Sequence, residues 1–175
     1  STFSLDDGTA GVNGDLCLPG VAGSGAPINL VFDNPGGGAT GKLLPTGRPT
    51  DELQTRGTHF EVSMVDAGNP CVFVRAQDLG LVGCELPDTL SQFSEALDAL
   101  ESIRLSASVA MGIAENIHQA SAIPGIPKIA IVSCPADSVT LSAETIGKYD
   151  CDLMLRMISV GQPHRAIPVT GALCT

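Results

Sequence analysis

Apolar and polar positions follow two rhythms along this chain. Around the tripeptide Gly68-Asn69-Pro70, the segments His59 to Asp66 and Cys71 to Arg75 both read as strands, so the tripeptide is predicted to form a sharp corner between them. Pro27 to Phe32 and Lys128 to Ser133 are predicted strands. So is Asp150 to Val160, with Cys151, Leu153, Leu155 and Met157 on one side. Helical spacing carries Phe93, Leu97, Leu100, Ile103, Ala107 and Met111, with Pro87-Asp88 and Ser91 as candidate caps. The Gly-rich start, Ser1 to Ser24, offers only short extended pieces near Thr2 to Leu5 and Asp15 to Leu18. Asp33 to Gly38 is a turn, Ala39 to Pro49 a loop fixed by Gly and Pro, and Pro124 and Pro127 bracket another loop. Near the end, Val169-Thr170-Gly171 has the chemistry of a helix start, with Thr170 as a cap.

Composition narrows the functional classes. The 175 residues are 43% hydrophobic, enough for a real core in one domain or two small ones, whereas aromatics are 3%, with no Trp and one Tyr. Val, Ile, Leu, Ala and Met must fill that core, and stacking on bases is nearly excluded. Nineteen acidic against nine basic residues, with no basic run, oppose nucleic acid and anionic membrane surfaces. Six scattered cysteines without a Cys-x-x-Cys read as buried free thiols, and His59, His118 and His164 lack metal-ligand spacing. No metal is expected. Without a stretch of about 20 apolar residues or a signal-like opening, the expectation is a cytoplasmic protein. Ser1-Thr2-Phe3 opens the chain abruptly and the helix start lies close to Thr175, which reads as a processed or partial piece of a longer protein.

Several residues are candidates for binding or chemistry. Asn69 at the corner offers both donor and acceptor atoms, which suits a carboxylate or amino acid ligand, or serves only its own turn. Gly36 to Lys42 fills the first seven positions of a phosphate-binding loop, but Leu43 replaces the magnesium-holding hydroxyl and Pro45 blocks the helix that should follow. What remains is a rigid loop with one cation, Lys42, free to pair with a carboxylate or with water. In the last segment, Thr170 and Gly171 at a helix start favour an anion, Arg165 supplies charge, and His164 is a candidate proton carrier. Cys174 in the first turn is a candidate for a lowered thiol pKa. Cys71 lies inside Val-Phe-Val and reads as structural; Asp66 either orients Asn69 or caps a turn.

Four ordered segments together resemble the PrpF family: Thr40 to Gly47, Asp66 to Val74, Asp78-Leu79-Gly80-Leu81-Val82-Gly83, and His164-Arg165-Ala166 with Val169-Thr170-Gly171-Ala172. The resemblance implies an α/β (α+β) diaminopimelate epimerase-like fold, two pseudo-symmetric domains whose sheets wrap central helices around a substrate cleft. Residues 1–50 are then the end of the first domain, and 51–175 are most of the second, cut at its central helix. It further implies a cofactor-independent isomerase that moves an allylic proton on an aconitate-type di- or tricarboxylate. Asn69, Thr170, Gly171 and Ala172 are implied carboxylate binders, beside the candidate cations Lys42 and Arg165. The Lys and Cys of the family's active site are expected outside this chain, on a missing portion or a companion chain, with a homo-oligomer possible. Thr170 stands where related epimerases carry a second catalytic Cys, which weighs against paired-thiol racemisation. A carboxylate-binding module without catalysis and an amino-acid epimerase or racemase are the alternatives.

Overall fold

The computed structural model describes residues 2, 3, 5, 6, 8–18 and 22–175. Ser4, inside the first expected extended piece, lies outside the described residues. Ser1–Asn34 and Pro35–Thr175 form two units. In the first, β1 (Thr2–Phe3) pairs antiparallel with β4 (Ile28–Asn29), and β2 (Leu5–Asp6) with β3 (Thr9–Ala10). Leu16 makes a single bridge to Gly25 instead of a strand. The expected strand from Pro27 to Phe32 is cut to Ile28–Asn29, because among the described residues nothing pairs with Leu30 to Phe32. Leu30, Val31 and Phe32 face solvent.

The second unit is built on a six-stranded sheet. Its strands are β5 (Asp51–Thr55), β6 (Thr58–Ala67), β7 (Asn69–Arg75), β8 (Lys128–Ser133), β11 (Met154–Ser159) and β12 (Gln162–Pro163). They lie in the order β12-β11-β8-β7-β6-β5, and a separate hairpin pairs β9 (Ser138–Val139) with β10 (Thr145–Ile146). Only β7 and β8 are parallel, so the chain must cross over between them. It does so through α1 (Pro87–Leu90), α2 (Ser94–Ala110) and α3 (Ile117–Ser121).

The predicted single helix is two. Pro87 opens α1 at a position that needs no N–H, while Ser91 turns its Oγ back to the Pro87 carbonyl at 2.8 Å instead of capping α2. Phe93, which keeps a non-helical backbone and stays 43% exposed, precedes α2. Leu100, Ile103 and Ala107 nevertheless form the buried stripe that the spacing predicts. They pack with Val62, Met64, Val72, Val74, Ile129, Ile131 and Ile158 on one face of the sheet. Burial of each large aliphatic side chain there contributes about 1.5–3 kcal/mol. Arg104, 3% exposed on the same helix, is satisfied by Glu101 and by the carbonyls of Ile123 and Ile126.

The opposite face is smaller. Ala67, Cys71, Phe73, Ala130, Met157 and Cys174 form its core, beneath the four-residue helix α4 (Val169–Ala172). In β11, Leu155 and Met157 share this face as expected, whereas Cys151 and Leu153 lie before the strand begins.

Candidate active site

The corner is tighter than the tripeptide suggests. Ala67 is already opposite Asn69, and Asp66 opposite Pro70, so Gly68 alone makes the reversal, at φ +83°. This backbone favours glycine. A second constraint acts at the same residue: a Cβ on Gly68 would lie 3.3 Å from Leu173 Cδ1 and 3.4 Å from Thr170 Cγ2. Gly171 repeats the theme, since its Cβ would stand 2.6 Å from Met157 Cε. Two glycines thus let α4 settle directly onto the corner and the sheet.

That approach joins Asn69 and Thr170. The Asn69 Nδ2 donates to Thr170 Oγ1 at 3.2 Å across 101 residues of sequence, with both residues half-buried. Thr170 is not the helix cap; Pro168 holds that place and offers no side-chain bond. The N–H groups of Gly171 and Ala172 donate back to the Pro168 carbonyl, at 2.8 and 3.0 Å. Val169 and Thr170 keep the N–H groups without protein partners among the described residues. A four-residue helix has little macrodipole, so its pull on an anion reduces to those donors.

A loop flanks the corner from the other side. Because β6 outruns β5, the loop before β5 covers its free edge: Gly37 N–H donates to the Asp66 carbonyl at 2.7 Å and Asp66 N–H to the Leu43 carbonyl at 2.8 Å. The fully buried Asp66 carboxylate completes the anchor. Its Oδ2 accepts from Ala39 N–H at 2.9 Å, Thr40 N–H at 2.7 Å and Thr40 Oγ1 at 2.8 Å. Of its two expected roles, Asp66 therefore takes the turn. The same bonds remove the phosphate-loop reading, since the amides that would cradle a phosphate already hold a carboxylate and no helix follows Lys42. Gly68 N–H donates to the Pro35 carbonyl at 2.9 Å, stitching corner to loop.

The remaining candidates are dispersed. Lys42 is exposed and has no ion-pair partner among the described residues. Arg165, also exposed, is turned to Asp88 of α1 at 3.9 Å. His164 N–H donates to the Met157 carbonyl at 2.8 Å, which leaves its imidazole exposed. His164 and Arg165 nevertheless line one open cavity of about 420 Å³, with Ser159, Gln162, Pro163 and Ala166.

Behind the corner lie two thiols, and all six cysteines are free. Cys174 Sγ sits 3.1 Å from the Asn69 carbonyl, and Cys71 Sγ 3.6 Å from the same oxygen. The Cys174 sulfur beside it, and then burial, push the Cys71 thiol far above its usual range. Cys174 is lowered to about 7, because the Cys71 S–H and, more weakly, the Ala67 N–H point at its sulfur against the effect of burial. Both are buried, so the pair supports the corner and is not presented to a ligand.

One cation escaped sequence reading. Lys128 opens β8 beside Cys71 and donates from Nζ to Ser159 Oγ at 2.9 Å. The available signal was a lysine starting an apolar strand directly after Pro127.

Comparison with known proteins gives the family. The model of the PrpF protein family matches residues 2–175. The chain is 39% identical to the 3-methylitaconate isomerase of Eubacterium barkeri, over 98% of the chain and 46% of that protein. It is 35% identical to the 2-methyl-aconitate isomerase of Shewanella oneidensis, over 97% of the chain and 44% of that protein. A crystal structure of methylitaconate-delta-isomerase superposes with a TM-score of 0.88 at 38% identity, covering 98% of this chain and 45% of that one. The chain thus spans about half the length of the relatives it matches. It shares with that structure the diaminopimelate epimerase-like fold, and on the family match and these identities the chain belongs to the PrpF family.

Proposed function

We propose that this chain contributes to a cofactor-independent isomerase that transfers an allylic proton on an aconitate-type di- or tricarboxylate. The observation that carries the reading is the meeting of the Asn69 amide with Thr170 at the start of α4. An amide that donates to Thr170 keeps its carbonyl oxygen and its second N–H for a guest, and the Val169 and Thr170 N–H groups add donors for a carboxylate. Proton removal next to a carboxylate builds enolate-like charge, which such fixed donors stabilise.

In this reading Asn69, Thr170, Gly171 and Ala172 surround one carboxylate, while Arg165 and Lys42 belong to the outer, solvent-facing rim. His164, on the cavity wall, is the chain's candidate proton carrier, and the family's Lys and Cys come from a portion outside this chain or from a companion chain. Residues 1–50 close one epimerase-like domain and 51–175 build most of the next. The free thiols support a reducing, cytoplasmic setting. Burial of both Cys71 and Cys174 speaks against a racemase that uses them as opposed bases.

The test is solvent-deuterium exchange followed by proton NMR. The full-length protein is expected to wash deuterium into cis- or trans-aconitate, or into a methylated analogue, without added metal or coenzyme. Binding without exchange for every such acid would leave a carboxylate-binding module.

A further inference from the structure

Strand register brings a third group to the Asn69 end of the sheet. Cys71 pairs with Lys128 in the parallel β7–β8 ladder, and the antiparallel β8–β11 ladder, running through Ile129 opposite Ile158, carries Lys128 alongside Ser159. Side chains alternate along a strand, so Asn69 shares a face with Cys71, Lys128 with Ala130, and Ser159 with Met157. Cys71, Ala130 and Met157 all belong to the core beneath α4. Cys71, Lys128 and Ser159 therefore stand side by side on three adjacent strands, and Asn69, two residues before Cys71, lies on the same face toward the same end.

We infer that Lys128 and Ser159 form an anion subsite that takes a second carboxylate of the acid whose first carboxylate meets Asn69 and Thr170. The inference rests on the isomerase reading and adds to it the group that distinguishes acids by carboxylate number. Lys128 is half-buried and pairs with no carboxylate among the described residues, although the chain has 19 acidic residues against 9 basic. A partly desolvated ammonium without a counter-ion is costly, and a ligand carboxylate removes that cost. Its neighbour Cys71 does not supply the charge, being held as a thiol.

The bond between them is directional. Lys128 Nζ donates to Ser159 Oγ at 2.9 Å, which occupies a lone pair and leaves the Ser159 O–H without an acceptor among the described residues. Ser159 lines the 420 Å³ cavity with His164 and Arg165. Two ammonium protons and one polarised hydroxyl can thus address one carboxylate, a charge-assisted arrangement.

The test is calorimetric titration of the full-length protein with trans-aconitate, glutaconate and itaconate, the last two being unsaturated acids with two carboxylates instead of three. Lys128→Met is expected to weaken trans-aconitate binding by about 10- to 100-fold, the loss of a charge-assisted contact. At least one dicarboxylate should be nearly unaffected, Ser159→Ala should give a smaller loss with the same preference, and Lys128→Arg should restore most of the affinity. Thermal midpoints should stay level. If Lys128→Met and Ser159→Ala bind all three acids like wild type while Asn69→Ala is weakened, the subsite is wrong and the isomerase site stands. Uniform weakening of every acid together with a lower midpoint would make the pair a structural tie between β8 and β11. No binding of any acid by the wild type overturns both the subsite and the reading beneath it.

Discussion

Replacing Asp66 tests whether a buried carboxylate holds the loop that flanks the corner. Its Oδ2 accepts three hydrogen bonds of 2.7–2.9 Å from Ala39 and Thr40, and its side chain is fully buried. Bonds to a charged group contribute about 1.5–3 kcal/mol each, and an abandoned amide costs about 1–3 kcal/mol. Three donors share one oxygen, so the contributions overlap, and Asp66→Ala should cost about 2–5 kcal/mol in total. Asp66→Asn keeps the shape and one acceptor but loses the charge, which about halves each bond; its cost should fall between wild type and Asp66→Ala. Among the described residues Oδ1 has no partner, so the new amide NH₂ at that position gains nothing to offset the loss.

The assay is amide hydrogen exchange on the full-length protein, read at Ala39 and Thr40 beside the global unfolding energy from urea titration. In Asp66→Ala, protection at those two amides should fall by at least about thirtyfold, equivalent to about 2 kcal/mol of local opening energy. Unchanged exchange at both, with unchanged global stability, would refute the reasoning. It would mean that the backbone bonds of Gly37 and Leu43 to residue 66 suffice to hold the loop.

Other substitutions probe the same corner. Gly68→Ala, at φ +83° with Leu173 and Thr170 within 3.4 Å, should lose about 1–3 kcal/mol in urea denaturation from backbone strain and crowding. Stability equal to wild type would show that the corner relaxes freely. Asn69→Ala should weaken aconitate binding by about 1–3 kcal/mol through a lost buried hydrogen bond, with calorimetry as the check; equal affinity would return Asn69 to a turn residue. Because Cys174 is lowered to about 7, its ionisation in the folded protein, followed by the NMR shift of its labelled Cβ, should run through pH 7 instead of near pH 9. Cys71→Ala should move that titration upward by removing the S–H donor, and an unmoved profile would exclude the thiol contact as its cause.

Local chemistry made some of this legible in the sequence. Lys128–Ser133 forms a strand with the bounds its apolar run predicts, after a proline and before Cys134-Pro135. Leu100, Ile103 and Ala107 declare the buried face of α2 by spacing alone. Pro27 to Phe32 misleads because an apolar run states only that a strand is possible, whereas pairing needs a neighbour, which Leu30 to Phe32 lack among the described residues. The break at Ser91 to Phe93 is likewise set outside the helix pattern, by a serine that bonds backward to Pro87. Within the candidate site, residue type singled out Asn69 and Thr170, but the contacts of Asp66 and Lys128 depend on partners 26 and 31 residues away in the chain. Local pattern has no access to such pairings.

Topology explains why the proposed binding groups gather where they do. Asn69 opens β7 and Lys128 opens β8, so an antiparallel pairing would have sent the two strand beginnings to opposite ends of the sheet. Parallel pairing sets them at the same end, and it is possible only because α1, α2 and α3 carry the chain back across the other face. Ser159, closing the antiparallel β11, then arrives at that end from the far side of β8, and the segment after β12 delivers α4 onto it. The face under α2 is closed by large aliphatic side chains. The face under α4 has the smaller core, in which Phe73 and Met157 pack with Ala67, Ala130 and two thiols, and it is the face that strand alternation gives to Asn69, Lys128 and Ser159.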